Sequence, residues 1–548
     1  MLRNSNYMYG SKDLVLPARI HLGEFMLDRM WSVKEKTLYI NGSTNESITY
    51  GQTAQQAMNF SVSLTHMGVR KGDVVAICSE NRFEFWGVII GGACAGAVLT
   101  TVNPGYTEGE IKHVMSISKP KYVVLSPYTY KLHGKTFKSL PYIKTIIIFG
   151  EHKPSNALLY NDLAVSNNNG SGNVIVNNYL ARNVKYEEFE AVDVDGQTDT
   201  LFILYSSGTT GLPKGVMLTH LNVLSSCCAP TNLSTDLLSL TIAPWFHVMG
   251  LNGALLGMAN ARTAVHLPKF DVDLFLRTIE KYKIAQVTVV PPVVVAVCKA
   301  PGQYDLSSVK IIYSGAAPLH KETEELLKTK FPNIEAVMQG YGMTETTLAV
   351  TRDTYNQALP TKPGSVGRVA AGVTIKIVDI DSRIPLGPNQ SGEICVKGSL
   401  VMKGYVGKDR NSDFDSEGFF KTGDVGYYDE DGCFFIVDRL KELIKYKAFQ
   451  VAPAEIEALL IEHPAVRDAA VVGVPDKAAG EVPLAFVVKQ AGQAVTEKEI
   501  QQFVAERLSN PKHLRGGVRF VDAIPKNPSG KILRKDLRKM VNSKKSKL

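Results

Sequence analysis

The sequence predicts an α/β protein with a large layered N-terminal part and a small α+β unit at its C-terminal end. Three observations lead there. Short, β-branched apolar runs recur through the first 437 residues at 74–78, 122–125, 145–149, 201–205 and 286–290, as in strands buried on both faces. Helical stretches lie between them. After Asp438-Arg439-Leu440-Lys441-Glu442 the texture changes to a compact run of about one hundred residues, the size of an independent small domain.

The elements follow in order. Pro318 opens a helix in which Glu322, Glu324 and Glu325 occupy early turns, where carboxylates suit the helix dipole. The Asn/Ser/Gly-rich stretch 166–173 reads as a surface loop. Pro453 fits the first position of a helix with Ile456, Leu459 and Leu460 on one face. Strands are expected at 469–474 and 484–488. Thr496 and Glu499 form a capping box ahead of apolar Ile500, Phe503, Val504 and Leu508. A strand at 518–521 comes next, then a Gly/Pro/Asn/Ser loop.

Charge excludes one class of function. The formal charge is +8, but residues 531–548 hold eight basic groups and one acid and account for +7 of it. The rest of the chain is near neutral, unlike a nucleic-acid-binding body. Hydrophobic residues at 45% and charged residues at 21% are normal for a globular chain, which argues against global disorder. Seven cysteines without a CxxC pair read as free thiols in a reduced compartment. The N-terminus lacks the apolar core of a signal peptide. The sequons at Asn41, Asn45, Asn59, Asn169 and Asn232 then read as chance matches. The longest apolar runs, 85–99 and 287–298, are too short for a transmembrane helix and carry Gly or Pro.

The most informative segment is Tyr205-Ser206-Ser207-Gly208-Thr209-Thr210-Gly211-Leu212-Pro213-Lys214-Gly215, set between two apolar strands. Its glycines allow close backbone approach, its hydroxyls and N–H groups suit phosphate oxygens, and Lys214 supplies a charge. It is not a Walker A loop, because no Gly-Lys-Ser/Thr follows. Four more motifs come after it: Tyr341-Gly342-Met343-Thr344-Glu345, Lys421-Thr422-Gly423-Asp424, Asp438 to Lys447, and Pro525-Lys526-Asn527-Pro528-Ser529-Gly530-Lys531.

These five motifs, in this order, resemble the adenylate-forming superfamily of acyl-CoA synthetases, 4-coumarate–CoA ligases and beetle-type luciferases. The resemblance implies a large adenylate-forming domain (1–437), a hinge (438–442), a small mobile C-terminal domain (443–540) and a basic tail (541–548). It implies ATP, Mg²⁺ and coenzyme A, with a small carboxylic acid as the other substrate. Ser206, Ser207, Gly208, Thr209, Thr210 and Lys214 would hold the β/γ-phosphates. Thr344 would touch the α-phosphate and Glu345 would hold Mg²⁺. Gln339, Gly340 and Tyr341 would form the adenine wall, and Gly315 and Ala316 would border adenine and acyl pocket. Asp424 would accept the ribose hydroxyls, and Arg439 would touch ribose or phosphate. Lys441 and Lys445 also belong to the nucleotide side, Lys441 as the hinge residue.

Lys531 would reach into the site and bridge carboxylate and phosphate during adenylation. Domain rotation would then replace it with Lys445, Tyr446 and Lys447. Lys447 and Lys269 match positions that contact coenzyme A. Ala448 stands where the family usually has Gly, a departure that bears on thioester formation. His247, within Pro244-Trp245-Phe246-His247-Val248-Met249-Gly250, would gate the pocket or orient the carboxylate. Val248, Met249, Leu348, Ala349 and Val350 would line an apolar pocket, which favours a fatty or aromatic acid. Medium- and long-chain fatty acids are the first expectation. A 4-coumarate-type acid is the next, and luciferase-like chemistry is a further alternative. Leu348 in place of the luciferase Ser, and a short segment 221–230 without the luciferin-side Arg, count against light production. Ser546-Lys547-Leu548 matches the peroxisomal address, which makes the import receptor an expected partner.

Overall fold

The computed structural model describes residues 6–152, 154–165, 183–206, 213–230, 235–315, 319, 321–354, 361–447, 449–526 and 531–543. Two large sheets dominate the N-terminal part. One runs Gly404–Tyr405, Lys214–Thr219, Thr200–Ser206, Val98–Val102, Val74–Cys78, Tyr122–Leu125, Thr145–Ile148, Leu158–Leu159. The other centres on the parallel strands Ile311–Ser314, Gln286–Val289, Ser239–Thr241, Ala264–His266 and Thr37–Asn41. Ala336–Met343 extends it in parallel, and Leu348–Arg352 and Arg368–Val369 follow antiparallel. Helices Leu22–Ser32, Tyr50–His66, Glu84–Cys94 and Val248–Ala259 contribute to one large apolar core with Phe60, Trp86 and Trp245 fully buried. A third, antiparallel sheet holds Val373–Val378, Gly392–Gly398, Phe420–Tyr428 and Phe434–Arg439.

The C-terminal unit has cores of its own. Ile444, Val451, Ile456, Leu460, Val471, Val487, Ile500 and Val518 share one cluster. Ala470, Leu484, Phe486 and Leu537 share another on the opposite face of the same sheet. Thus the strands Val466–Asp476 and Gly480–Lys489 are covered on both sides, by helices Pro453–Ile461 and Glu497–Arg507 on one and Arg534–Ser543 on the other. The result is an α/β protein with a large N-terminal domain and a small C-terminal one.

Most predicted elements form, with shifted ends. The run 85–99 divides into helix Glu84–Cys94 and strand Val98–Val102, and 287–298 divides between strand Gln286–Val289 and helix Pro291–Lys299. The predicted capping box is made: Thr496 Oγ1 accepts the Glu499 N–H and Glu499 Oε2 accepts the Thr496 N–H. Helix Glu497–Arg507 stops before Leu508, which is extended. The last strand is Gly517–Phe520 rather than 518–521. Pro318 lies outside the described residues; the helix after it is Lys321–Lys330. No described helix is long and apolar enough to cross a membrane. All seven cysteines are free.

Two buried histidines make stability pH-dependent. His220 and His266 are 2% and 1% exposed, and burial pushes their imidazoles down to about 3 and about 4. Unfolded, each would bind a proton near pH 6.5. The unfolded chain therefore takes up protons that the folded chain refuses, and stability falls as pH drops below 6.5 toward 4. The urea midpoint of the N-terminal domain is expected to drop over this window. His266 packs edge-on against Tyr39 and Phe83 and beside Trp245. The substitution His266→Phe is expected to flatten the drop.

Candidate active site

Strands Thr200–Ser206 and Lys214–Thr219 form an antiparallel pair, so Ser206 and Lys214 face each other at the mouth of the phosphate-type loop. Ser207, Gly208, Thr209 and Thr210 lie outside the described residues. Ser206 Oγ is buried and has no hydrogen-bond partner among the described residues, leaving a donor open for an anionic oxygen. Lys214 Nζ sits 4.6 Å over the ring of Tyr405. Burial, then the like charge of Lys408, lowers the Lys214 pKa.

Thr344 and Glu345 stand on the tight turn Thr344–Thr346 between strands Ala336–Met343 and Leu348–Arg352. The return requires Gly342, where a Cβ would lie 1.5 Å from the Leu348 carbonyl oxygen. Both Thr344 and Glu345 are buried. Tyr405 Oη donates to Glu345 Oε1 at 2.8 Å. Glu345 Oε2 makes no hydrogen bond among the described residues. A carboxylate oxygen left open in this way fits Mg²⁺, a hard cation that takes oxygen ligands.

Asp424 is 6% exposed and held from two sides. Tyr341 Oη donates to its Oδ2 at 2.8 Å, and Arg439 Nε lies 3.2 Å from its Oδ1. Each carboxylate oxygen retains a further lone pair, as a diol acceptor requires. Burial raises the Asp424 pKa; Arg439, Tyr341 and Lys531 oppose the rise. Gln339 Oε1 accepts the Leu319 N–H at 3.2 Å. Gly340 lies between Gln339 and Tyr341 on the same strand. Ala316 lies outside the described residues.

His247 caps helix Val248–Ala259, and its Nδ1 accepts the Met249 N–H at 3.3 Å. Its neutral form therefore carries the proton on Nε2. It is enclosed by protein yet open to water, as a cleft residue is. Burial lowers its pKa, and the charge of Lys531 lowers it further. Met249 reaches the other wall, with Cε 3.7 Å from the place of a Cβ on Gly315. Met249, Leu348 and Ala349 are half-buried, as pocket walls should be. Val248 and Val350 belong instead to the large core.

Lys531 joins these groups from the small domain. Its loop is closed at the base by the Lys526–Ile532 bridge and by Leu533 N–H donating to Pro525 O at 2.8 Å. Burial, then the charge of Arg439, pushes its pKa down to about 8; Asp424, Glu345 and Glu442 act the other way. Glu345, Asp424, Arg439, Lys531 and His247 thus share one cleft between the domains. Lys441 adds its field at Lys214. Lys269, Lys445 and Lys447 are exposed, and Ala448 lies outside the described residues. Lys447 has φ 53 and its N–H donates to Ala479 O at 2.7 Å.

Two features escape sequence reasoning. Tyr405 belongs to a short edge strand that no motif marks, yet it links Lys214 to Glu345. Two cations of helix Arg534–Ser543 are also paired within the small domain or with the hinge. Arg538 pairs with Glu442 at 2.6 Å, and Arg534 pairs with Glu457 at 3.0 Å.

Residues 30–406 match the AMP-binding enzyme family, and residues 455–531 match the AMP-binding enzyme C-terminal domain. The chain belongs to the AMP-binding enzyme family. Among relatives of this AMP-binding enzyme, 4-coumarate–CoA ligase 3 of Arabidopsis thaliana is 39% identical over 96% of this chain and 92% of its own. Luciferin 4-monooxygenase of Photuris pensylvanica is 36% identical over the full length of both chains. ATP-bound MatB from Rhodopseudomonas palustris superposes with a TM-score of 0.83 at 27% identity, covering 95% of this chain and 98% of that one.

Proposed function

We propose that this AMP-binding enzyme joins an aryl carboxylic acid of the 4-coumarate type to coenzyme A. It is an ATP-dependent, AMP-forming acid–thiol ligase. The observation that carries the choice of acid is the 39% identity to a 4-coumarate–CoA ligase across nearly the whole chain. The sequence reading put fatty acids first; the curated relatives favour the aryl acid.

In the first half-reaction the carboxylate attacks the α-phosphorus of ATP, giving acyl-adenylate and pyrophosphate. Negative charge gathers on phosphate oxygens, so the site needs fixed cations and donors. Ser206 and Lys214 hold the terminal phosphates. Asp424 and Arg439 hold the ribose. Mg²⁺, when bound at Glu345, supplies neutralising charge at the phosphates. His247 Nε2–H orients the acid, and Lys531 sets its charge where acid and α-phosphate meet. In the second half-reaction the small domain rotates about Lys441, Lys531 withdraws, and the exposed Lys447 and Lys269 meet coenzyme A. Substitution His247→Ala is expected to raise KM for the acid ~10-fold and leave KM for ATP unchanged. Equal changes in both would contradict an orienting role.

One observation favours fatty acids as the second reading. Gly253 and Gly257 follow Met249 on one face of helix Val248–Ala259, and a Cβ added at either meets nothing within 4 Å. That leaves a lane along the helix for an extended chain. Measuring kcat/KM for 4-coumarate against octanoate, laurate and palmitate separates the two. Preference for 4-coumarate supports the first reading, and preference for a fatty acid replaces it with the second. Light from luciferin and O₂ without acyl-CoA would contradict both.

We also propose that Ser546-Lys547-Leu548, outside the described residues, addresses the chain to the peroxisome through the import receptor. A reporter fused to residues 541–548 should become punctate. A diffuse cytosolic signal rejects the address.

A further inference from the structure

We propose that Glu393 is a positioning residue for Asp424: it holds the backbone bulge that aims the Asp424 carboxylate. The proposal rests on the reading of Asp424 as acceptor of the ribose hydroxyls.

Strands Gly392–Gly398 and Phe420–Tyr428 run antiparallel, with Glu393 opposite Val425 and Cys395 opposite Lys421. Between these pairs one strand has only Ile394, while the other has Thr422, Gly423 and Asp424. The second strand therefore carries two extra residues at the point where Asp424 stands. Such a bulge re-aims side chains and takes N–H groups out of the ladder. Those groups need other partners when buried.

Glu393 supplies one. Gly423 has φ +71, a conformation that favours glycine, and its N–H donates to Glu393 Oε1 at 3.0 Å. The other oxygen, Oε2, pairs with Arg383 Nη1 at 2.5 Å. Glu393 is 4% exposed, so its carboxylate is largely shielded from water. Three further polar groups of the bulge are also taken. Thr422 Oγ1 donates to Ile394 O at 2.8 Å and accepts the Asp424 N–H at 3.1 Å. Gly423 O accepts the Leu440 N–H at 2.8 Å.

The consequence is geometric. Asp424 meets Tyr341 from one sheet and Arg439 from the neighbouring strand. It meets both only while the bulge keeps its shape. Gly423 is pinned on one side by Glu393 and on the other by Leu440, which belongs to the proposed hinge. Loss of the Glu393 carboxylate leaves the half-buried Gly423 N–H without its partner and frees the bulge to slip, turning Asp424 away from the ribose.

The test compares kcat/KM for pyrophosphate release with ATP, 2′-deoxy-ATP and 3′-deoxy-ATP. The unaltered enzyme is expected to lose ~10-fold or more for each missing hydroxyl. Asp424→Ala should erase that preference. Glu393→Ala should reduce it toward the Asp424→Ala level. Glu393→Gln, whose amide oxygen still accepts the Gly423 N–H, should keep most of it. Glu393→Asp is one methylene too short to reach Gly423 and should resemble Glu393→Ala; it serves if Glu393→Ala does not fold. A purely structural role would lower all three nucleotides alike and leave their ratios unchanged. Unchanged ratios in Glu393→Ala or Glu393→Asp, with the preference lost in Asp424→Ala, overturn the proposal alone. A preference retained in Asp424→Ala overturns the ribose reading of Asp424 and the proposal with it.

Discussion

Replacing Lys531 by alanine is expected to lower acyl-adenylate formation by ~10²–10³-fold, the scale seen when one transition-state donor is removed. Thioester formation from supplied acyl-adenylate should stay within a few-fold of normal. The split follows from placement. Lys531 lies near Glu345, Asp424, Arg439 and His247, the groups proposed above to serve the first half-reaction. Burial and the Arg439 charge push its pKa down to about 8. The protonated form is therefore lost as pH rises through about 8 in the free enzyme. Adenylation kcat/KM should fall on that limb, since this ratio reports the free enzyme. Substitution Lys531→Arg should move the fall to much higher pH, because a guanidinium stays charged. Equal loss of both half-reactions in Lys531→Ala would contradict the assignment.

Replacing Glu345 by glutamine is expected to cost ~10²-fold in adenylation and to raise the Mg²⁺ concentration needed for half-maximal rate. Gln has nearly the same shape, and its amide oxygen can keep the Tyr405 hydrogen bond made at 2.8 Å. What the substitution removes is the negative charge. The turn around Thr344 should persist, because Thr347 Oγ1 still donates to Leu400 O at 2.6 Å. Titrating the rate with Mg²⁺ checks the outcome. A rate loss with unchanged Mg²⁺ dependence would assign Glu345 to holding Tyr405 and Lys214 rather than the metal.

Legibility followed local chemistry. Strands Val74–Cys78 and Tyr122–Leu125 match their sequence-read ranges to the residue, because each is a short apolar run buried on both faces. The long run 85–99 could not be divided by periodicity alone, whereas the strand at the start of 287–298 was legible as 286–290 and ends one residue earlier. Helix Glu497–Arg507 was read from its cap, but its far end was not, since Leu508 continues the apolar spacing in an extended backbone. Motif spacing marked Tyr341 and Asp424, far apart in sequence, and the fold joins them by one hydrogen bond. Tyr405 and Glu393 lay beyond sequence reading. Their roles come from sheet neighbours, Lys214 beside one and a bulge beside the other, and no local pattern encodes those. The basic stretch from 531 onward shows the same limit: its excess charge is plain in the sequence, but the partners of Arg534 and Arg538, Glu457 and Glu442, come from earlier in the chain.

The central claim is that one cleft runs two half-reactions in sequence, adenylation and then transfer to a thiol. It is tested most directly by following pyrophosphate release and acyl-CoA formation in parallel, with 4-coumarate, ATP, Mg²⁺ and coenzyme A. One acyl-CoA per pyrophosphate is the predicted result. Pyrophosphate released steadily without acyl-CoA, with the adenylate left on the enzyme or hydrolysed, would contradict the ligase.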